Sequence, residues 1–437
     1  MSSKIKTTSV LGDSMPALIP KLRFPEFRDA SGWKPVTLRK ASVPVTERVG
    51  ERKLTPVSIS AGVGFVPQAE KFGRDISGKQ YKLYTLVRDG DFVFNKGNSL
   101  KFPQGCVYLL QGWGQVAAPN VFICFRLKDD YSNGFFQNCF EQNQHGNQLK
   151  KHITSGARSN GLLNISKETF FGVEIPVPLL PEQQKIANCL SSLDELTAAQ
   201  TRKVYALKSH KKGLMQQIFP QEGETQPRLR FPEFKNAGEW NAHPFEDFVA
   251  KSFYGTSSST SPTGQYPVLR MGNMSDGRLD FTNLVYIDLD PDSFESFRLE
   301  EGDILLNRTN SPALVGKISL FQLKSECITA SYIVTYRLKK NRIDPSFCNY
   351  MLNTPLYQAR IKKLAKPSIS QANINPTTFK KELIVSVPAL LEQQRIADCL
   401  TALDDLIAAQ TQRLDSLRTH KKALMQQLFP APAQVEA

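Results

Sequence analysis

The chain has 437 residues, 41% of them hydrophobic and 22% charged, and a net charge of +14 at pH 7. That length can bury two or three cores, and the composition is that of a soluble globular protein rather than a disordered or fibrous one. No run approaches the roughly 20 apolar residues that span a bilayer, and the opening "MSSKIKTTSVLGDSMPALIP" lacks the apolar core of a secretory leader.

After a tail over 1–20, the segment "LRFPEFRDASGW" (Leu22–Trp33) opens a first region, 21–180. Trp33 reads as structural, placing the chain at the start of a domain. Short apolar runs such as "DFVFN" and "NVFICFRL" are broken by Gly, Pro, Asn and Ser. They predict strands mixed with short helices, one of them near "GFFQNCFEQ". Between 21 and 181 stand 22 Lys and Arg against 13 Asp and Glu, an excess of +9.

Residues 181–220 read as one long helix. Pro181 precedes it, Pro220 follows it, and no proline interrupts Glu182–Gln217. Ile186, Leu193, Gln200, Leu207 and Leu214 recur every seven residues, with Leu190, Leu196, Val204 and Ile218 widening the stripe. A strict seven-residue period imposes a left-handed supercoil on a partner helix.

At 221–390 the chain starts again. "LRFPEFKNAGEW" (Leu229–Trp240) repeats the first opening, and Trp240 repeats Trp33. "GDILLNRTNS" (Gly302–Ser311) answers "GDFVFNKGNS" (Gly90–Ser99), and "YRLK" (Tyr336–Lys339) answers "FRLK" (Phe125–Lys128). A helix is expected near "SFCNYMLN". The excess over 228–391 is +4, 20 basic residues against 16 acidic. Residues 391–430 then form a second long helix with seam Ile396, Leu403, Gln410, Leu417 and Leu424, widened by Leu400, Leu406, Leu414 and Leu428, and a tail covers 431–437.

The obvious partner of each long helix is the other. An antiparallel pair brings Gln200 close to Gln410, where a polar seam residue can fix register; a solvated flank is the alternative. The repeated "HKK" (His210–Lys212, His420–Lys422) reads as a helix flank. The fold class is therefore α/β of mixed α+β type: two tandem pseudo-symmetric domains joined by two long helices in an antiparallel coiled coil.

Catalytic signatures are missing. There is no GxGxxG after a strand, no GxxxxGK[ST], no HExxH and no GxSxG. The seven cysteines show no zinc spacing and read as reduced, mostly buried thiols of a cytoplasmic protein. The basic excess points to a polyanion, nucleic acid first.

At this point the motifs resemble the specificity subunits of type I restriction-modification systems. "PLLPEQQKIANCL" and "PALLEQQRIADCL", each followed by a heptad helix ending in "LMQQ[IL]FP", carry the likeness over nearly the whole chain. The resemblance implies that 21–180 and 221–390 are target recognition domains, each reading one half of a bipartite, asymmetric site in double-stranded DNA, with the helices as a ruler. It implies two modification (methyltransferase) subunits as partners, and restriction subunits that translocate and cut. S-adenosylmethionine, ATP and Mg are expected on those partners; no cofactor, metal or catalytic residue is expected on this chain. A coiled-coil scaffold with non-specific DNA affinity and an enzyme with an unrecognised site are the rival readings.

Lys and Arg neutralise phosphates, while Arg, Asn, Gln and Ser read base edges. The candidate DNA-binding residues are Asn95, Lys96, Asn98, Ser99, Lys101, Lys150, Lys151, Arg158 and Asn160 in the first half. In the second they are Asn307, Arg308, Asn310, Ser311, Lys362, Lys363, Lys366, Ser368, Ser370 and Gln371. The shared "N[K/R]xNS" segments equally suit a turn built by Asn and Ser. Tyr81, Tyr84, Trp113, Tyr254 and Tyr266 either touch DNA or cap the cores.

Overall fold

The structure, a computed structural model, describes residues 18–60, 62–97, 102–153, 163–323, 325–367 and 371–430. The chain divides into two compact units. One holds residues 1–199 with 414–437, and the other holds 200–413. Each unit thus owns an α/β domain, the first half of the helix that follows it, and the last half of the other helix.

In the first unit a four-stranded antiparallel sheet runs in the order Ser42–Pro44, Ile123–Leu127, Asp91–Asn95, Cys106–Leu109. A second sheet runs Gly64–Pro67, Thr55–Ser60, Gln115–Ala118, Thr85–Arg88, with one parallel pairing, Thr55–Ser60 beside Gln115–Ala118. A ribbon of Lys34–Thr37 with Glu174–Val177 ties the start of the domain to its end. The "DFVFN" strand is buried from Asp91 to Phe94. Its phenylalanines stack into a core with Phe125, Phe140 and Phe170. Ile186, Leu190 and Leu428 of the long helices, with Phe429 just past the second, complete that core.

The second unit repeats the first sheet as Val249–Tyr254, Ile333–Leu338, Ile304–Asn307, Ile318–Leu320. Its three-stranded sheet (Val285–Ile287, Tyr266–Leu269, Ile328–Thr329) repeats three strands of the first unit's second sheet, the parallel pairing included. A hairpin (Met274–Ser275 with Arg278–Leu279) and a small sheet (Thr309–Asn310, Ala372–Ile374, Ala365–Pro367) have no match among the described residues of the first unit. Trp240, Phe245, Tyr336 and Phe347 pack with Phe219, Ile396 and Leu400.

The echoed motifs are the frame. Asp91 and Asp303 are fully buried, and each receives a forked guanidinium, from Arg126 (2.6 and 3.1 Å) and Arg337 (3.0 and 2.9 Å). The preceding Gly90 and Gly302 have φ of +93° and +97°, which an L side chain rarely adopts. Arg23 of the first "LRFPEF" forks onto Glu182 of the first "EQQ" at 2.8 and 2.7 Å, and Arg230 forks onto Glu392 at the same distances. The next residue works too: Gln183 accepts from the Ser132 amide and donates to the Pro178 carbonyl, as Gln393 does with Asp344 and Pro388.

The long helices span Leu180–Ile218 and Leu390–Leu428. In the first unit Lys421 bonds Asp194 (2.6 and 2.8 Å), and in the second Lys211 bonds Asp404 (both 2.7 Å), so the segments pair antiparallel. Gln200 donates to both the carbonyl (2.8 Å) and the side chain (3.0 Å) of Gln410, as a seam residue does. Leu196 and Leu406 do not widen the stripe: they are 56% and 42% exposed. Each stands three residues past a heptad position, where the stripe uses the fourth. Thr197 and the buried Ile407 occupy that place instead. Lys211 and Lys421 stand at the same fourth position, which is why their stems are covered. His210 and His420 are exposed on the flank.

The central helix carries Gly213 where its copy carries Ala423. A methyl group at Gly213 meets nothing within 4 Å. Gly213→Ala is expected to stabilise the protein by about 0.5–1 kcal/mol, read as a shifted urea midpoint with unchanged slope.

Candidate nucleic-acid interface

In the second unit the two sets of candidate residues meet. The strand Ile304–Asn307 runs out through Arg308 into Thr309–Asn310, which forms an edge of the small sheet. Thr309 lies opposite Asn373, and Asn373 opposite Lys366. Thr309 Oγ1 donates to Asn373 Oδ1 at 2.6 Å, which holds the edge in register. Lys362 and Lys363 end the helix Pro355–Lys363, where positive charge complements the dipole. These two and Lys366 are exposed, with no carboxylate within ion-pair distance among the described residues.

The asparagines face inward. Asn307 is fully buried with neither side-chain atom hydrogen-bonded. Asn310 accepts from the Ser311 amide (2.8 Å) and points its Nδ2 at Met271 Sδ. Ser311 starts the turn that follows, its carbonyl accepting from Leu314 and Val315. Arg308 is different: its guanidinium lies over the Tyr254 ring, 5.2 Å from the centroid, and Tyr254 is about half exposed.

In the first unit Asn95 donates to the Ile59 carbonyl (3.2 Å) and accepts from the Gly97 amide (2.8 Å). Lys96 reaches the Ile165 carbonyl at 3.2 Å, and its own carbonyl accepts from Leu163. Lys150 and Lys151 are exposed on the turn after the helix Gln144–Leu149. Asn98, Ser99, Lys101, Arg158, Asn160, Ser368 and Ser370 lie outside the described residues; Gln371 lies just inside them.

Of the five aromatics, Tyr84 and Tyr266 are core, Tyr266 stacked on Phe294 at 3.9 Å. The Tyr81 hydroxyl accepts from the Leu54 amide and donates to the Arg52 carbonyl. Trp113 and Tyr254 face solvent. What sequence reading missed is the pairing of Tyr254 with Arg308 and the part played by Asn373. In the sequence Asn373 stands within "ANIN" (Ala372–Asn375), which repeats "LNIS" (Leu163–Ser166) of the first half.

The second unit also holds a cavity of about 860 Å³ between its domain and its helix segments, lined in part by Lys208, Lys212, Arg278, Lys317, Asp276 and Asp405. At its floor Asp404 takes Lys211, Tyr350 (2.8 Å) and Arg278 (2.8 Å). Burial alone would raise the Asp404 carboxyl; these partners outweigh it and hold it below the usual carboxylate range.

All seven cysteines are unpaired and five are buried. Burial pushes the Cys106 thiol up to about 11 and those of Cys124 and Cys327 to about 12, where little thiolate forms at neutral pH. Among the described residues no group of three His, Cys, Asp or Glu is placed to hold a metal ion, and no helix is long and apolar enough to cross a membrane.

Two divergent α/β domains on one repeated frame, each clasped by antiparallel helix segments, define a duplicated binding subunit with mixed α/β architecture. The chain belongs to the family of type I restriction modification DNA specificity domains, whose model matches residues 78–209 and 244–419. It is 30% identical over 194 residues to a Methanocaldococcus jannaschii protein named for the MjaX type I restriction enzyme specificity subunit, covering 44% of this chain and 45% of that one. That match thus spans less than half of the relative's length. The MjaVIII specificity subunit of the same organism is 24% identical over 65% of this chain and 68% of its own. The Escherichia coli EcoKI specificity subunit is 22% identical over 60% and 57%. In fold, the chain resembles the type I restriction-modification S subunit from M. genitalium, with a TM-score of 0.59 at 15% identity over 94% of this chain and 99% of that one. A chain from a solved type I system gives 0.53 at 16% identity, over 92% and 98%.

Proposed function

We propose that this chain is the sequence-reading subunit of a type I restriction-modification complex. Each α/β unit reads one half of an asymmetric, bipartite site in double-stranded DNA. Two modification subunits supply methylation of adenine from S-adenosylmethionine, and restriction subunits add ATP-driven translocation and cleavage in the cytoplasm. The observation that supports the reading is one repeated frame carrying two domains whose sequences differ between the echoed motifs. Identical domains would suit a palindrome, whereas unlike domains suit two unrelated half-sites.

The test is single-molecule mapping of methylated adenines in the host genome with and without the gene. Loss of one split, asymmetric motif on deletion is the expected result. Unchanged methylation at every motif would remove the reading's support and favour the scaffold.

Helix length sets the spacer in this reading. At 1.5 Å per residue, 39 residues rise about 58 Å. Removing one turn, four residues, from each helix should shorten the unread spacer by roughly two base pairs and leave both half-sites unchanged. A changed half-site sequence would contradict the ruler.

A further inference from the structure

We infer that Arg308 reads a guanine in the half-site of the second unit, with Tyr254 as the shelf that holds its guanidinium plane. This rests on the DNA-reading function proposed above and adds to it a named base and a named side chain.

The argument starts from what the other arginines do. The domain from Asn241 to Val387 contains Arg270, Arg278, Arg298, Arg308, Arg337, Arg342 and Arg360. Arg278, Arg298 and Arg337 hold carboxylates, of Asp404, Glu295 and Asp303. Arg270, Arg342 and Arg360 donate to the carbonyls of Asn283, Asp247 and Ile384. Among the described residues, Arg308 alone of the seven has neither. Its buried Nε has no hydrogen-bond partner among the described residues, and its guanidinium lies against the face of Tyr254.

An arginine without a carboxylate keeps its terminal amino donors for a ligand, and one stacked on a ring keeps its plane fixed. The backbone is fixed as well. The Arg308 amide donates to the Tyr332 carbonyl, and its carbonyl accepts from Ile374. Both neighbouring strands therefore hold the residue from which the side chain leaves. A pre-oriented fork of this kind matches the O6 and N7 acceptors that guanine presents in the major groove. A phosphate does not require the fixed plane. The exposed Lys362, Lys363 and Lys366 on the neighbouring helix end and strand supply the sequence-independent attraction. The corresponding residue of the first unit, Lys96, is turned onto the Ile165 carbonyl, so this reader belongs to one half-site only.

The experiment uses the full complex in cells: genome-wide mapping of methylated adenine for the wild type, Arg308→Ala, Arg308→Gln and Tyr254→Leu. The wild-type motif is expected to contain a guanine in one half that becomes degenerate in Arg308→Ala, with discrimination falling about 10- to 100-fold there and nowhere else. In Arg308→Gln that position is expected to shift towards adenine, whose N6 and N7 suit a carboxamide. Tyr254→Leu should relax the same position more weakly. A split wild-type motif that stays unaltered in Arg308→Ala and Arg308→Gln overturns the inference and leaves the reading standing. A uniform drop in methylation at all sites, motif intact, overturns it in favour of a phosphate contact. No split motif in the wild type overturns both.

Discussion

Glu182→Gln should destabilise the first unit by about 3–5 kcal/mol, the largest effect expected of any single substitution in the frame. The change keeps the shape of the side chain and removes its charge. Arg23 is then left with 7% of its side chain exposed and no counterion, while its fork still faces the place where Oε1 and Oε2 stood at 2.8 and 2.7 Å. Arginine cannot shed its proton to relieve this. Part of the fork remains satisfied, because Arg23 also donates to the Ala30 and Ser31 carbonyls. The loss is therefore one charge pair, not the whole network. Replacing both partners, as Arg23→Met with Glu182→Leu, should cost far less than either single change. The measurement is urea unfolding followed by the fluorescence of Trp33, whose indole nitrogen sits 3.4 Å from Glu182. A single variant within 1 kcal/mol of wild type would show that the "EQQ" glutamate does not hold the domain to its helix. Glu392 with Arg230 should behave alike in the second unit.

The second large effect depends on pH. His145 is 1% exposed and wedged edge-on between Phe94 and Phe140. Burial pushes its pKa down to about 4, outweighing the Gly105 backbone, which favours the protonated ring. In the unfolded chain the imidazole takes up a proton near pH 6.5. Between those values the unfolded state binds a proton that the folded state excludes, so stability falls as the pH drops from 6.5 towards 4. At 1.36 kcal/mol per unit, the first unit should lose about 3 kcal/mol over that window through this residue alone. His145→Leu removes the titration, so its stability advantage over wild type should grow by that amount from pH 7 to pH 4. Carboxylates that titrate in the same range cancel in the comparison. Parallel stability curves for the two proteins would rule out the buried neutral histidine.

The frame was legible because duplication printed it twice. "LRFPEF", "GD", "EQQ" and "HKK" each turn out to be one partner of a buried or half-buried charge pair. The heptad gave the seam, and failed at Leu196 and Leu406, where hydrophobic identity was followed one residue away from the stripe. The interface was harder. Asn95 and Asn307 share a motif, yet Asn95 closes a turn and Asn307 is sealed inside. Their difference lies in what the fold packs around each one, which the shared motif does not carry. Tyr254 and Arg308 are 54 positions apart, and only the sheet places one over the other. No local pattern encodes such a meeting.

The lysine–aspartate pairs decide which way the two long helices can lie. Gln200 and Gln410 occupy matching positions, so they would meet whether the helices ran the same way or opposite ways. The charges do not share that indifference. Turned parallel, Lys211 would come beside Lys421 and Asp194 beside Asp404, placing like charges together at two levels. Antiparallel, every one of the four finds its opposite. The glutamines set how far one helix slides along the other, and the charged residues set its heading.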